Sequence, residues 1–138
     1  MIRYLLDTNV VSEAIKTRPN GNVMHKLEKH QNEIATAVIV WHELRFGYRR
    51  LPASRRRSLI KRYLEAVVAP SLPILPYERA AAEWHADQRG RLTAAGQTTA
   101  FVDGQIAAIA KVNGLTLVTR NTTDFKLFSG LKVANWHR

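Results

Sequence analysis

The chain predicts an α/β fold, a three-layer sandwich with a short, mostly parallel central sheet flanked by helices. Three observations carry that expectation. Short apolar segments of strand character alternate with longer segments of helical period along the whole chain. The 138 residues suit one ordinary domain, residues 1–138, and a 46% hydrophobic content suits a packed core. No internal repeat, low-complexity stretch or dividing linker interrupts the alternation.

The elements follow in order. Ile2 to Leu6 reads as a short strand, and Asp7-Thr8-Asn9 offers helix-start chemistry. A first helix is expected from about Val10 to Lys16, then a turn at Arg18-Pro19-Asn20-Gly21. A second helix runs from about Asn22 to His30, with Val23 and Leu27 on one side. Glu33 to Thr36 resembles a second strand, and Thr36 is placed to cap a helix from about Val38 to Arg50. Pro52 and Ser54 open a further helix that ends near Ala69-Pro70. Leu72 to Leu75 is a weak strand, broken by Pro73 and Pro76. Helices return from about Glu78 to Ala95 and from about Phe101 to Asn113, ending at Gly96 and Gly114. Leu115 to Thr119 is the clearest strand, and Lys132 to Trp136 reads as the last. Sites in such sheets form beyond the carboxyl ends of the strands. Asp7 and the segment from Thr119 to Asp124 both fall at that edge.

Composition narrows the function classes. There are no cysteines, which excludes disulfides and thiolate zinc sites and fits a reducing compartment. The apolar runs near the N-terminus are short and carry Asp7 and Glu13, so neither a signal peptide nor a membrane span is expected. The expected location is the cytoplasm. The formal net charge of +10 attracts polyanions, nucleic acid foremost. A solubility surface, or a basic face that meets an acidic protein, explains the same charge.

Against that basic background four carboxylates are placed where charge is costly. Asp7 ends the apolar strand Tyr4-Leu5-Leu6. Glu43 has Ile39, Val40, Phe46 and Gly47 three and four residues away, an apolar helix stripe. Asp103 shares a helix face with Ile106, Ala107 and Ala110. Asp124 follows the strand and turn that run from Leu115 to Asn121. Each has an ordinary explanation: a helix cap for Asp7, a buried salt bridge for Glu43, a first-turn acid for Asp103, turn duty for Asp124. The alternative is one cleft that gathers all four. Two carboxylates about 6 Å apart repel by roughly 3 kcal/mol at an effective dielectric near 20. A hard divalent cation, Mg²⁺ or Mn²⁺, removes that strain and activates water for attack on phosphorus.

The ordered set Leu5-Leu6-Asp7-Thr8-Asn9, a helical Glu43, Asp103-Gly104-Gln105-Ile106-Ala107-Ala108, and Leu117-Val118-Thr119-Arg120-Asn121 with Asp124-Phe125 resembles the PIN domain. The likeness is greatest to the VapC-type toxins of bacterial type II toxin–antitoxin modules, and it covers nearly the whole chain. The resemblance implies a parallel-sheet fold and a Mg²⁺- or Mn²⁺-dependent endoribonuclease toxin. It also implies a cognate antitoxin that occupies the cleft, and toxin dimers within a higher toxin–antitoxin assembly. By that likeness Asp7, Glu43, Asp103 and Asp124 are the acidic metal ligands and catalytic residues, and Thr8, Asn9, Thr119 and Asn121 line the pocket. Some relatives carry a further acid in the helix that starts near Asp103; Gly104, Gln105 and Ile106 supply none here. A structured tRNA is the substrate the family likeness suggests.

Arg45, Arg49, Arg50, Arg55, Arg56 and Arg57, with Lys61 and Arg62, crowd one stretch with no acid between Leu44 and Leu64. They are candidates to hold RNA phosphates, with Tyr48 and Tyr63 placed to stack on unpaired bases. A solvated helix face, or a surface for an acidic antitoxin, is the alternative. The five histidines show no metal spacing, His42 is expected on another helix face than Glu43, and His85 lies mid-helix. Trp41, Trp84 and Trp136 read as core or interface residues.

The leading reading is therefore metal-assisted hydrolysis of an RNA phosphodiester. Its rivals are a non-catalytic nucleic-acid- or protein-binding module, and phosphoryl transfer to an aspartate. For the last, Asp7-Thr8-Asn9 lacks a second acid two residues on, and no lysine ends a late strand.

Overall fold

The computed structural model describes residues 1–138 and places five short strands in one sheet. They are β1 (Tyr4–Leu6), β2 (Ile34–Ala37), β3 (Ile74–Leu75), β4 (Thr116–Val118) and β5 (Val133–Ala134). Their order across the sheet is β3-β2-β1-β4-β5, and every neighbouring pair is parallel. A wholly parallel sheet must be covered on both faces. Leu5, Leu6, Ala35, Thr36, Ala37, Leu117 and Val118 are accordingly buried.

The covering helices are α1 (Thr8–Val11), α2 (Gly21–Lys29), α3 (Val38–Arg49), α4 (Arg55–Tyr63), α5 (Ala69–Ser71), α6 (Arg79–Ala94) and α7 (Phe101–Val112). The expected first helix is split: α1 tightens into a 3₁₀ turn at Ser12–Ile15. The helix expected from Ser54 to Ala69-Pro70 is continuous but not uniform, because a π-helical stretch, Leu64–Val68, joins α4 to α5. That widening turn buries Leu64 and Val68 together. Thr36 does not cap α3. Its hydroxyl donates to the Leu6 carbonyl at 2.7 Å, tying β2 to β1, and Ala37 occupies the cap position without a side-chain bond. Of the tryptophans, Trp136 is buried and Trp41 and Trp84 pack partly buried against the core. No helix is long and apolar enough to cross a membrane.

The chain first builds the sheet outward on one side, β1 to β2 to β3, then returns to the other flank of β1 as β4 and continues to β5. The direction of winding therefore reverses between β1 and β4. Such a reversal opens a crevice at the carboxyl ends of the two strands. Leu6 pairs with Val118, so the next residues, Asp7 and Thr119, stand side by side at the mouth of that crevice.

Glu13, given no role by sequence pattern, is a buried anchor elsewhere. Its carboxylate accepts from the Asn20 backbone N–H at 2.8 Å and lies 3.0 Å from Lys16 Nζ and 3.3 Å from His137 Nε2. Burial pushes its pKa up, but the Lys16 ammonium, the Asn20 N–H and the His137 ring outweigh that and hold it at about 2. A depressed carboxylate stabilises the fold above its ordinary pKa of 4.5 and loses that contribution as pH falls toward 2. Glu13→Gln is expected to lower stability at pH 7 by about 1–3 kcal/mol. The gap from the parent in urea midpoints should narrow steadily below pH 4.5, and a gap independent of pH would contradict the assignment.

Candidate active site

Asp7 sits one residue past β1, in extended backbone, and its N–H still bonds Val118 O at 2.9 Å. Its Oδ1 accepts from the Thr8 N–H at 2.8 Å and its Oδ2 from the Thr119 hydroxyl at 2.8 Å. Asp7 is thus the cap of α1 and the centre of a polar network at once, and its other lone pairs remain free. Asn9 Nδ2 lies 3.5 Å from Asp7 Oδ2 and 3.3 Å from Thr119 Oγ1, while Asn9 Oδ1 accepts from the Arg120 N–H at 3.0 Å. Thr119 Oγ1 also accepts from the Asn121 N–H at 3.1 Å. The Asn9 and Thr119 side chains and the Asn121 backbone therefore hold Asp7 in place. Thr8 contributes its backbone N–H instead; its hydroxyl is buried and has no hydrogen-bond partner.

The three other acids converge on this carboxylate. The charge of Asp7 is felt at Glu43 and at Asp103, that of Asp124 at Asp7 and at Asp103, and that of Glu43 at Asp103. Burial, reinforced by the Asp124 charge, raises Asp7 despite the opposing bonds from Thr119 and Thr8. Partial burial, then the Asp7 charge, raises Glu43, while the nearby Thr8 hydroxyl and His42 act against it. Asp103 feels all three others. Burial and then the charges of Asp7, Asp124 and Glu43 push it up to about 6. The four share one electrostatic site, yet no three acids or histidines are close enough together to chelate one ion through side chains alone.

Two expectations need correction here. Glu43 is not on a buried stripe: the buried line of α3 is Val40, Leu44 and Tyr48, and Glu43 lies on an exposed face with Phe46. It makes no salt bridge. It borders a hollow of about 330 Å³ between the starts of α3 and α7, with Val38, Ile39, His42, Val102 and Gln105. His42 therefore lies beside Glu43, not away from it. Gln105 and Val102 carry no sequence signal beyond their nearness to Asp103.

α7 positions Asp103 through its small residues. A Cβ on Gly104 would come within 2.0 Å of His85 Nε2, so the imidazole of α6 occupies the space a side chain would need. His85 is held there by the Tyr77 hydroxyl at 3.2 Å. Asp124 lies in the short 3₁₀ turn Thr122–Phe125, exposed, with Phe125 buried beneath it.

The arginines divide rather than form one strip. Arg45 pairs with Glu65 at 3.3 Å, Arg56 donates to the Ile15 carbonyl at 2.8 Å, Arg50 lies 5.7 Å from the Phe46 ring, and Arg55 is exposed. Arg45, Arg49 and Arg57 surround Tyr48. Neither tyrosine is free to stack on a base. Tyr48 is buried, and the Tyr63 hydroxyl donates to Val11 O at 2.8 Å.

Comparison with known proteins bears on the family and the fold. A family model described as the PIN domain matches residues 4–130. The chain is 34% identical to the VapC ribonuclease Y4jK of Sinorhizobium fredii, covering 95% of each chain. It is 28% identical to a tRNA(fMet)-specific endonuclease VapC of Shigella flexneri, covering 99% of each. The DNA-bound VapBC structure from Salmonella typhimurium superposes with a TM-score of 0.87 at 25% identity, covering 99% of each chain.

Two variants test the construction of the site. Gly104→Ala is expected to cost about 1–3 kcal/mol through overpacking against His85. Adding His85→Ala should recover part of that loss in a denaturant titration. An acid whose folded pKa is raised destabilises the fold increasingly as pH rises above its ordinary value, 3.8 for Asp103, and fully above about 6. Asp103→Asn should therefore melt higher than the parent at pH 7.5 in EDTA and lose the advantage near pH 4. An equal melting point at pH 7.5 would mean the four charges do not meet.

Proposed function

The chain belongs to the PIN-domain family, and we propose that it is a metal-dependent endoribonuclease toxin held in check by a cognate antitoxin. The observation that carries the reading is Asp7, fixed by Thr8 and Thr119 at the carboxyl edge of β1 and β4; the charges of Glu43, Asp103 and Asp124 that couple with it support it. The ribonuclease names of its relatives support it, and so does the occurrence of VapBC proteins as toxin–antitoxin complexes. The same reading takes residues 1–138 as one PIN-like domain, cytoplasmic, that forms dimers within the assembly with its antitoxin. The name of the Shigella relative supports a structured tRNA as substrate.

The donor set fits a hard divalent cation. Every candidate ligand is an oxygen, and the orphaned Thr8 hydroxyl lies near Glu43. No three acids gather closely enough to chelate an ion by side chains alone, so the candidates are Mg²⁺ and Mn²⁺, which keep several waters and reach some carboxylates through them. Bound there, the cation supplies Lewis acidity that activates water and steadies charge on the phosphate. Asp7, Glu43 and Asp103 would hold it, directly or through water, with Asp124 completing the acidic pocket. The chain's own contribution is orientation. The Thr8 N–H and the Thr119 hydroxyl fix both oxygens of Asp7, and Asn9 braces Thr119. The four carboxylates also repel the RNA backbone unless their charge is offset, which makes cleavage conditional on the cation.

Incubation of the purified protein with total RNA, with Mg²⁺ or with EDTA, tests the proposal beside Asp7→Asn. The amide oxygen still accepts from the Thr8 N–H, and the amide N–H₂ meets Thr119 as a donor to its hydroxyl oxygen, so the fold persists, and cleavage should drop by about 100-fold or more. EDTA should abolish it in the parent. Undiminished cleavage by the folded variant would sink the catalytic reading. RNA binding without cleavage, indifferent to EDTA, would favour a binding module.

A further inference from the structure

The turn between α3 and α4 builds a second charged site, of opposite sign to the first. A hollow of about 240 Å³ is lined by Tyr48, Arg49, Ala53, Ser54, Arg57, Ser58 and Lys61. Three of these are cations, and no acid is among them. None of the three takes part in a salt bridge. Arg57 is fixed from two sides: its Nε donates to Tyr48 O at 3.2 Å, and its guanidinium carbon lies 5.7 Å from the Tyr48 ring centre. That leaves its Nη groups as a pre-oriented fork. Arg49, 5.9 Å from the same ring, supplies a second guanidinium, and Lys61 a mobile ammonium. Ser54 accepts from the Arg57 N–H and keeps its own hydroxyl proton to donate. Ser58 adds another hydroxyl.

We infer that this hollow seats a backbone phosphate of RNA on the flank of the acidic cleft. Three cations without an acidic partner that line one hollow repel one another unless an anion lies between them, and the guanidinium fork matches phosphate oxygens. The hydroxyls offer donors to the remaining oxygens. A second hollow, lined by Ser58, Lys61, Arg62, Glu65 and Ala66, continues from the first through Ser58 and Lys61. The cationic surface is thus a track longer than one anion, which suits a polymer. Arg49 stands six residues beyond Glu43 on α3, about 9 Å along the helix axis at ~1.5 Å per residue. The two side chains also project about 120° apart around a helix roughly 10–12 Å across, so about four nucleotides of a stacked strand, at roughly 3.4 Å each, span the separation. A single-stranded RNA at the acids therefore has a neighbouring phosphate within reach of the pocket. The inference rests on RNA being the substrate, and it adds where the strand is gripped.

The test measures binding apart from cleavage. A fluorescein-labelled single-stranded oligoribonucleotide is titrated by anisotropy in EDTA over a range of KCl concentrations. Arg49→Gln combined with Lys61→Gln should weaken binding about 10-fold near 0.1 M salt. It should flatten the log–log salt slope by about 1.4, at roughly 0.7 for each lost contact to a single strand. Arg57→Lys keeps the charge and loses the fork, so affinity should fall with little change in slope. Lys26→Gln combined with Lys29→Gln removes the same charge from α2 and should leave the slope unaltered. Parent-like affinity and slope in the Arg49/Lys61 variant would overturn the inference. So would an equal loss in the α2 control, which would make net charge the cause. Intact RNA binding with lost binding of a poly-glutamate peptide would assign the pocket to an acidic protein and likewise overturn it. Mg²⁺-dependent cleavage by the parent is scored separately, so a failed nuclease and a failed pocket give different results.

Discussion

The site depends on one alignment, the parallel pairing of β1 with β4 in which Leu6 stands level with Val118. One step beyond that pair the hydrophobic pattern ends and the polar one begins. Asp7 and Thr119 become neighbours and exchange a 2.8 Å hydrogen bond. Side chains alternate along a strand, so a slip of one residue would replace Thr119 with Val118 or Arg120 beside Asp7. The same slip would send Leu117 and Val118, both fully buried, to the opposite helix-covered faces and break their packing there. The apolar residues therefore enforce the register that the polar ones need. This is why a short strand of three residues can hold a charged group to a fixed position.

The remaining acids reach the crevice on helices, and helices are placed by what they pack against. α7 carries Asp103 beside the buried small residues Gly104, Ala107 and Ala108. Those residues let α6 and the sheet approach closely, and His85 fills the gap that Gly104 leaves. Glu43 flanks the core-facing line of α3, so burial of Val40, Leu44 and Tyr48 leaves it at the rim of the hollow shared with the start of α7. Packing against the core thus aims both charges outward and toward each other.

This division explains which features were legible in the sequence. The strands and the positions of Asp7 and Asp124 beyond strand ends follow from local pattern, whereas the strand order and its reversal at β1 are visible only in the fold. Asp103 was legible because an acid in a first helical turn among alanines is conspicuous. The surroundings of Glu43 were not: Ile39 and Phe46 are apolar by type, but Phe46 is exposed, and only the tertiary contacts of α3 reveal which stripe is buried. Thr36 looked like a cap because it precedes a helix, and a cross-strand bond to Leu6 took its hydroxyl instead. Tyr48 and Tyr63 looked available to bases, and one is buried beneath arginines while the other donates to Val11. Glu13 gave no signal, because its partners Lys16, Asn20 and His137 are gathered only by folding. Each miss is a side chain whose partner lies elsewhere in the chain.

The net charge of +10 acquires a shape once the fold is known. α3 carries an acid at its middle and guanidinium groups toward its end, so opposite charges are sorted along one rigid rod. Exposed charges act beyond contact only over about 8 Å at physiological salt. At longer range a polyanion senses the basic excess, and close in it meets the carboxylates. Arrival and reaction are then governed by different residues. The basic flank lowers the cost of bringing a phosphate chain near four like-charged carboxylates, and the Asp7 network keeps that carboxylate from relaxing away. A protein with the acids alone would repel its substrate, and one with the arginines alone would bind RNA without a group to act on it. Placing both on α3 fixes their separation by the rise of the helix, and that fixed distance is what converts attraction into registration of the strand.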